Sequence, residues 1–161
     1  LGDAIAIALL ERRGFSANEF RTLHPGGRLG QAAVVRVGDI MHTGDAIPLV
    51  SPYTGMADTL VEMTAKSLGC AGIVGRDGEL LGIITDGDLR RHMSPELLRK
   101  NASDVMTASP RTIRADALAS EALGLMNGVG GQREITSLFV LDDNRPVGIL
   151  HIHDCYRAGV A

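Results

Sequence analysis

Along the chain, hydrophobic and polar positions fall into two series that run in the same order. In the first, Ala46 to Val50 is a short apolar run that reads as the start of a strand. Apolar residues then recur at Met56, Leu60 and Met63, the i, i+4, i+7 spacing of one buried helical face. They predict a helix over roughly Thr54 to Leu68, with Gly69 at its stop. Cys70 to Val74 and Leu80 to Thr85 are continuous apolar runs separated by Arg76-Asp77-Gly78-Glu79. An Asp-Gly pair between two such runs is a hairpin signal. Asp86 to Arg91 then opens a second helix, with a carboxylate where free N–H groups need an acceptor.

The second series repeats the first. Asp116 is expected to cap a helix that carries Leu118, Ala122 and Leu125 on one face, with Gly128 near its end. Ser137 to Leu141 reads as a strand, Asp142-Asp143-Asn144-Arg145 as the turn, Pro146 to Leu150 as the partner strand, and His153 onward as the closing helix. The correspondence extends to residue identities. Asp39-Ile40-Met41 recurs as Asp104-Val105-Met106, and Gly82-Ile83-Ile84-Thr85-Asp86-Gly87-Asp88 as Gly148-Ile149-Leu150-His151-Ile152-His153-Asp154, both at an offset of about 65 residues. The predicted unit is β-α-β-β-α, twice, in an α/β (α+β) chain. A unit of about 60 residues buries too little surface to stand alone. The copies, at 35–93 and 104–158 with 94–103 as linker, are therefore expected to pack together.

Residues 1–30 follow another pattern. Asp3 to Arg13 predicts a helix ended at Gly14, with Ile5, Ile7, Leu9 and Leu10 spread over more than one face. Such a helix belongs inside a larger body. Together with a first residue that is Leu rather than Met, it is read as the end of a further domain in a longer protein. His24-Pro25-Gly26-Gly27 makes a sharply turned loop before the repeats begin.

Composition narrows the function classes. At 45% apolar and 22% charged residues the chain is a folded protein, without the apolar run of about 18 residues that a membrane span needs. A net charge of −3 supplies no basic field, so neither nucleic acid nor a membrane is an expected partner. With 3% aromatics and no Trp, the core is expected to be built from Val, Ile, Leu, Ala and Met. Cys70 and Cys155 are far apart in sequence and outside any CxxC or CxxH arrangement, which argues against a disulfide staple and a cysteine zinc site. With no leader in view, a reducing cytoplasm is the expected location.

Thr85 and Asp88 stand at a strand end and in the first turn of a helix. Two readings are open. A Thr and an Asp there can cap the helix and need no ligand. Alternatively, the carboxylate can take the vicinal hydroxyls of a ribose while the Thr hydroxyl and free N–H groups meet phosphate oxygens. In the second copy His151 replaces Thr85 while Asp154 is kept, so the half-sites are not equivalent. His151 and His153 have the i, i+2 spacing of a metal pair, but a strand-to-helix turn without a supporting Cys argues against zinc. No metal or cofactor is expected.

The duplicated unit, with D-[IV]-M at its head and G-h-h-T-x-x-D at its tail, resembles the tandem cystathionine-β-synthase-type (CBS) domain pair over about residues 35–158. That resemblance implies a disc-like module whose cleft binds nucleotides and related ligands through Thr85 and Asp88. It also implies a homodimer formed through flanking helices, and a cleft-lining role for His42, Thr43 and Thr107. Arg90 and Arg91, just beyond Asp88, are candidates to reach an anionic group, or are solvated surface charges.

Over the whole chain, Leu1-Gly2-Asp3-Ala4, His24-Pro25-Gly26-Gly27, Asp39-Ile40-Met41-His42-Thr43-Gly44-Asp45 and Thr85-Asp86-Gly87-Asp88-Leu89-Arg90-Arg91 resemble the arabinose 5-phosphate isomerase family. There a sugar-isomerase (SIS) domain precedes a CBS pair, and the parent is a higher homo-oligomer. The resemblance implies that 1–30 ends the SIS domain and that His24 is a catalytic acid–base group of the parent, the isolated chain being inactive. The expected ligand is CMP-Kdo, Kdo being 3-deoxy-D-manno-octulosonate of lipopolysaccharide or capsule. A generic adenine-nucleotide sensor attached to another enzyme or transporter is the alternative.

Overall fold

The computed structural model describes residues 35–128, 130–131 and 133–160. The expected helix at 3–13 and the loop bearing His24 lie outside the described residues. The chain enters through α1 (Val37–Ile40) and a 3-10 turn (Gly44–Ala46). The first copy is β1 (Leu49–Val50), α2 (Met56–Lys66), β2 (Cys70–Val74), β3 (Leu80–Thr85) and α3 (Asp86–Arg91). A 3-10 turn (Leu97–Arg99), α4 (Ala102–Val105) and β4 (Thr107–Ala108) lead to the second copy. This is β5 (Thr112–Ile113), α5 (Ala119–Met126), β6 (Ser137–Asp142), β7 (Arg145–His151) and α6 (Ile152–Arg157). The sheets run β1-β2-β3-β4 and β5-β6-β7, with a parallel first pair and an antiparallel hairpin in each. This is the duplicated β-α-β-β-α arrangement expected from the sequence.

The differences have local causes. β1 is shorter than the apolar run at 46–50, because the 3-10 turn takes up Ala46. The stop of α2 is Ser67, already left-handed at φ 56°, ahead of Gly69. Asp116 does not cap α5: it is exposed and pairs with Arg114 at 3.1 Å, and the cap position is Leu118. The buried face of α5 is accordingly Ala119, Ala122 and Met126, one step round from the expected stripe, with Leu118 left exposed. The second hairpin turns through Asp143 and Asn144, both with positive φ, as a two-residue turn compatible with strand twist requires.

A larger departure concerns the repeated heads. Each was expected to belong to the copy it precedes, and each crosses to the other. Val37 of α1 is fully buried in the second copy's core with Leu138, Val140 and Leu150, and its N–H donates to the Ala117 carbonyl at 2.9 Å. Ala102 and Val105 of α4 are buried in the first copy's core with Met56, Ile73 and Ile84, and β4 extends the first sheet against β3. The repeated residues now have reasons. Asp39 and Asp104 accept the backbone N–H three residues back, from Arg36 (3.0 Å) and Asn101 (2.9 Å), and so hold the head helices. Met41 and Met106 lie over Gly148 and Gly82. A Cβ built on Gly148 would sit 2.4 Å from the Met41 Sδ, and one on Gly82 2.7 Å from the Met106 Sδ and 2.9 Å from the Thr107 carbonyl.

The second of these contacts involves backbone already paired in β4, which cannot turn aside as a methionine can. Gly82→Ala is therefore expected to lower unfolding stability by about 1–3 kcal/mol, the range for overpacking a tight contact. A urea midpoint equal to that of the parent chain would overturn this.

A third cluster joins the copies. Ile47, Leu68, Cys70 and Leu80 pack with Phe139 and Ile149. Phe139 is fully buried, and its ring fills the space beside Gly72, where a Cβ would lie 2.6 Å from the ring Cζ. The expectation of a purely aliphatic core is thus corrected at its centre. One ring supplies contact area that two small units lack.

Candidate functional site

The crossed heads meet the closing helices at two carboxylates. Asp88, in the first turn of α3, is 2% exposed. Its Oδ2 accepts the Thr85 backbone N–H at 2.8 Å and the Thr85 hydroxyl at 2.6 Å. Its Oδ1 accepts the Thr107 hydroxyl at 2.6 Å and a guanidinium N–H of Arg91. Thr107 belongs to the crossing head, so this carboxylate ties one copy's entry segment to the other's helix. A carboxylate offers about four lone-pair positions, and four donors occupy them. Burial by itself would push Asp88 up; the hydrogen bonds from Thr107 and Thr85, with the Arg91 charge, outweigh it and hold the carboxyl below its ordinary 3.8.

The second copy rebuilds this motif with imidazoles. Asp154 accepts the His151 backbone N–H at 2.8 Å, the His42 ring at 3.1 Å across the copies, and an N–H of Arg157. His42 follows Met41 as Thr107 follows Met106, so Thr85–Asp88–Arg91–Thr107 answers to His151–Asp154–Arg157–His42. His151 accepts the His153 N–H at 3.3 Å through Nδ1, replacing the Thr85 hydroxyl as a helix cap. Burial, then the neighbouring His153, push His151 below its ordinary 6.5, which keeps Nδ1 an acceptor.

The two half-sites differ in what they face. A cavity of about 720 Å³ opens beside Asp88, within the size range of small-molecule pockets. Thr85, Asp88, Arg90, Arg91, Thr107 and His151 line it, so six of the expected site residues come together around one cavity. His42, Thr43 and Asp154 lie outside it; Thr43 is exposed ahead of the 3-10 turn, where its carbonyl accepts the Ala46 N–H. Cys70 also reaches the cavity. Burial and nearby Asp86 push its thiol up to about 12 against a hydrogen bond with Ser137, so it is no nucleophile. His151 and His153 have ring centroids 4.9 Å apart, but no group of three or more metal-ligating side chains occurs among the described residues.

Three arginines escaped the sequence reading. Arg157 was legible, since Asp88-x-x-Arg91 recurs as Asp154-x-x-Arg157. Arg111 and Arg133, both on the cavity wall, were not: they lie in connecting segments outside the repeated motifs, and that of Arg133 is ten residues long against three in the first copy.

Two interlocked α/β repeats that exchange their entry segments beside a cavity of about 720 Å³ define a tandem α/β module. The chain belongs to the CBS domain family, whose pattern matches residues 37–95 and 102–161. It is 47% identical over 162 residues to the arabinose 5-phosphate isomerase KdsD of Escherichia coli O6:H1 and 46% identical over 163 residues to the KdsD of Pseudomonas aeruginosa, each match covering 99% of this chain. The chain spans about half the length of these curated relatives, 48% and 49%. Among solved structures, CBSX2 in complex with AMP is 25% identical with a TM-score of 0.65, covering 78% of this chain and 96% of that one; CBSX2 is from Arabidopsis thaliana. Among the described residues no helix is long and apolar enough to cross a membrane.

Proposed function

We propose that this chain is the regulatory ligand-binding module of an arabinose 5-phosphate isomerase and that its cavity takes a nucleotide or nucleotide sugar, CMP-Kdo foremost. The similarity to KdsD along nearly the whole chain supports the parent enzyme, which would interconvert ribulose 5-phosphate and arabinose 5-phosphate for Kdo and lipopolysaccharide synthesis in the cytoplasm. In that parent His24 is proposed to move a proton in the enediol step, for which imidazole is suited near neutral pH. The chain alone is expected to show no turnover. A homodimer through the flanking helices fits the exposed Val61 of α2 and Leu98 of the neighbouring 3-10 turn.

The observation that carries the ligand reading is the cavity itself, bounded by both copies with Asp88 in its wall. A carboxylate suits a ribose diol and repels phosphate, so the sugar belongs at Asp88 and the anionic groups at Thr85, His151, Arg90 and Arg91. Because Asp88 is saturated, the diol enters by exchange with Thr107 or Arg91. A ligand that displaces Thr107 would loosen the contact that ties the copies, which gives the module a way to report occupancy. The adenine-nucleotide alternative is favoured by the AMP complex of CBSX2.

Calorimetry with CMP-Kdo, CMP and AMP separates the readings. CMP-Kdo is expected to bind most tightly, since it adds a sugar carboxylate for the arginines. Equal or tighter binding of AMP would transfer the assignment to the adenine-nucleotide reading.

A further inference from the structure

The two copies differ in the connection from their first helix to their second strand. Between α2 and β2 the chain takes three residues, 67–69; between α5 and β6 it takes ten, 127–136. The longer connection brings Arg133 to the cavity wall beside the first turn of α3, which belongs to the other copy. There Arg133 Nη2 and Arg91 Nη1 both lie 3.6 Å from the position that a Cβ on Gly87 would occupy. Two guanidiniums from opposite copies thus converge over a residue without a side chain. Arg91 spends its other nitrogen, Nη2, on Asp88. The Arg133 side chain has no ion pair or hydrogen bond among the described residues. Arg111 ties the two ends of the connection: its Nη1 donates to the Leu125 carbonyl at 2.8 Å and its Nη2 to the carbonyl of Arg133.

Two cations that approach the same point favour an anion between them. A phosphate monoester offers the planar oxygen edges that paired guanidinium forks match. The lone pairs of Asp88 are already filled, and Arg91 Nη1 and the Arg133 guanidinium remain directed to the space over Gly87.

We propose that Arg133 and Arg91 form an anion subsite reading the phosphate of the cavity ligand, with Arg111 positioning the connection that carries Arg133. The proposal rests on the nucleotide reading above and deepens it by assigning the phosphate to a residue of the second copy. It also sets the stoichiometry. The short connection of the first copy has no counterpart to Arg133, so the chain takes one phosphate-bearing ligand, on the Asp88 side.

The test is calorimetry on the intact 161-residue chain with CMP, cytidine and inorganic phosphate, using the parent sequence, Arg133→Gln and Arg133→Lys. CMP is expected to bind at one per chain, at least about 10-fold tighter than cytidine, as for loss of one charge-assisted contact. Arg133→Gln should erase that advantage while leaving cytidine unchanged, and Arg133→Lys should restore only part of it. Arg133 is exposed, so the variants are expected to fold, which circular dichroism checks. Equal binding of CMP by Arg133→Gln and the parent sequence would overturn the subsite and leave the nucleotide reading standing. Phosphate binding that Arg133→Gln abolishes, without any binding of CMP, would sustain the subsite and remove the nucleotide reading. Failure of all three probes would remove both.

Discussion

Phe139→Ala is expected to destabilise the chain by about 3–5 kcal/mol, the usual cost of emptying a buried aromatic site. For a protein of this size that corresponds to a fall in Tm on the order of 10 °C or more. The ring lies in the cluster shared by the two copies, so its loss opens a void where Ile47, Leu80 and Ile149 meet. The void cannot close cheaply, because the position opposite is Gly72, whose missing side chain is the reason the ring fits. Gly72→Ala should itself be destabilising, its Cβ falling 2.6 Å from the ring Cζ. In the double variant the clash disappears with the ring, so the two losses should not add. Chemical denaturation of both single variants and the double measures this. Simple additivity would mean that the two residues do not share the space.

Asp88→Ala is expected to weaken CMP binding by roughly 10- to 150-fold, the loss of one or more charge-assisted hydrogen bonds. Asp154→Ala should do so much less, since Asp154 is outside the cavity. Thr107→Val should act in the opposite direction. It empties one lone pair on Asp88 Oδ1, and a diol would no longer have to displace a hydroxyl, so binding is expected to tighten. Weaker binding by Thr107→Val would instead make that hydroxyl a direct ligand contact. Asp88 also sets an acid limb of stability. Its carboxyl is held lower in the folded chain than in the unfolded one, so below about pH 4 the unfolded chain takes up the proton first. The stabilisation from Asp88 is complete above the unfolded pKa and is lost as pH falls through the folded one. Asp88→Asn should flatten that limb in urea titrations run from pH 6 to pH 3.

Much of this site was legible in the residues. The recurrence of G-h-h-T-x-x-D located the strand-to-helix turns at Thr85 and His151, and with them the carboxylates of Asp88 and Asp154. Capping and ligand binding were rival readings of Asp88, and the geometry shows capping joined to a contact with the opposite copy. A one-dimensional pattern could not show that a carboxylate is saturated, because two of its four donors, Thr107 and Arg91, are set by how the copies dock and how a guanidinium folds back. Arg133 was equally hidden. Its position depends on the path of a glycine-rich connection, and glycines constrain that path little.

The element order, the hairpins and the duplication followed from the sequence alone, because hydrophobic period and turn residues act over a few neighbours and need no partner. The same local rules misplaced the cap of α5, where Asp116 prefers the nearby Arg114 and the chain between 35 and 37 pairs across to Ala117 and Ala119. Which copy receives each head was a tertiary decision. Both sheets are apolar and each head carries the same Asp-h-Met pattern, so only docking distinguishes crossing from folding back. The pairing of Gly72 with Phe139 has the same origin. These residues occupy equivalent positions in the two hairpins, as their registers with Ile83 and Ile149 show. Near a pseudo-two-fold axis equivalent positions meet each other, and two large side chains cannot occupy one place. One copy therefore supplies the ring and the other the room for it, a complementarity that exists only when both copies are folded together.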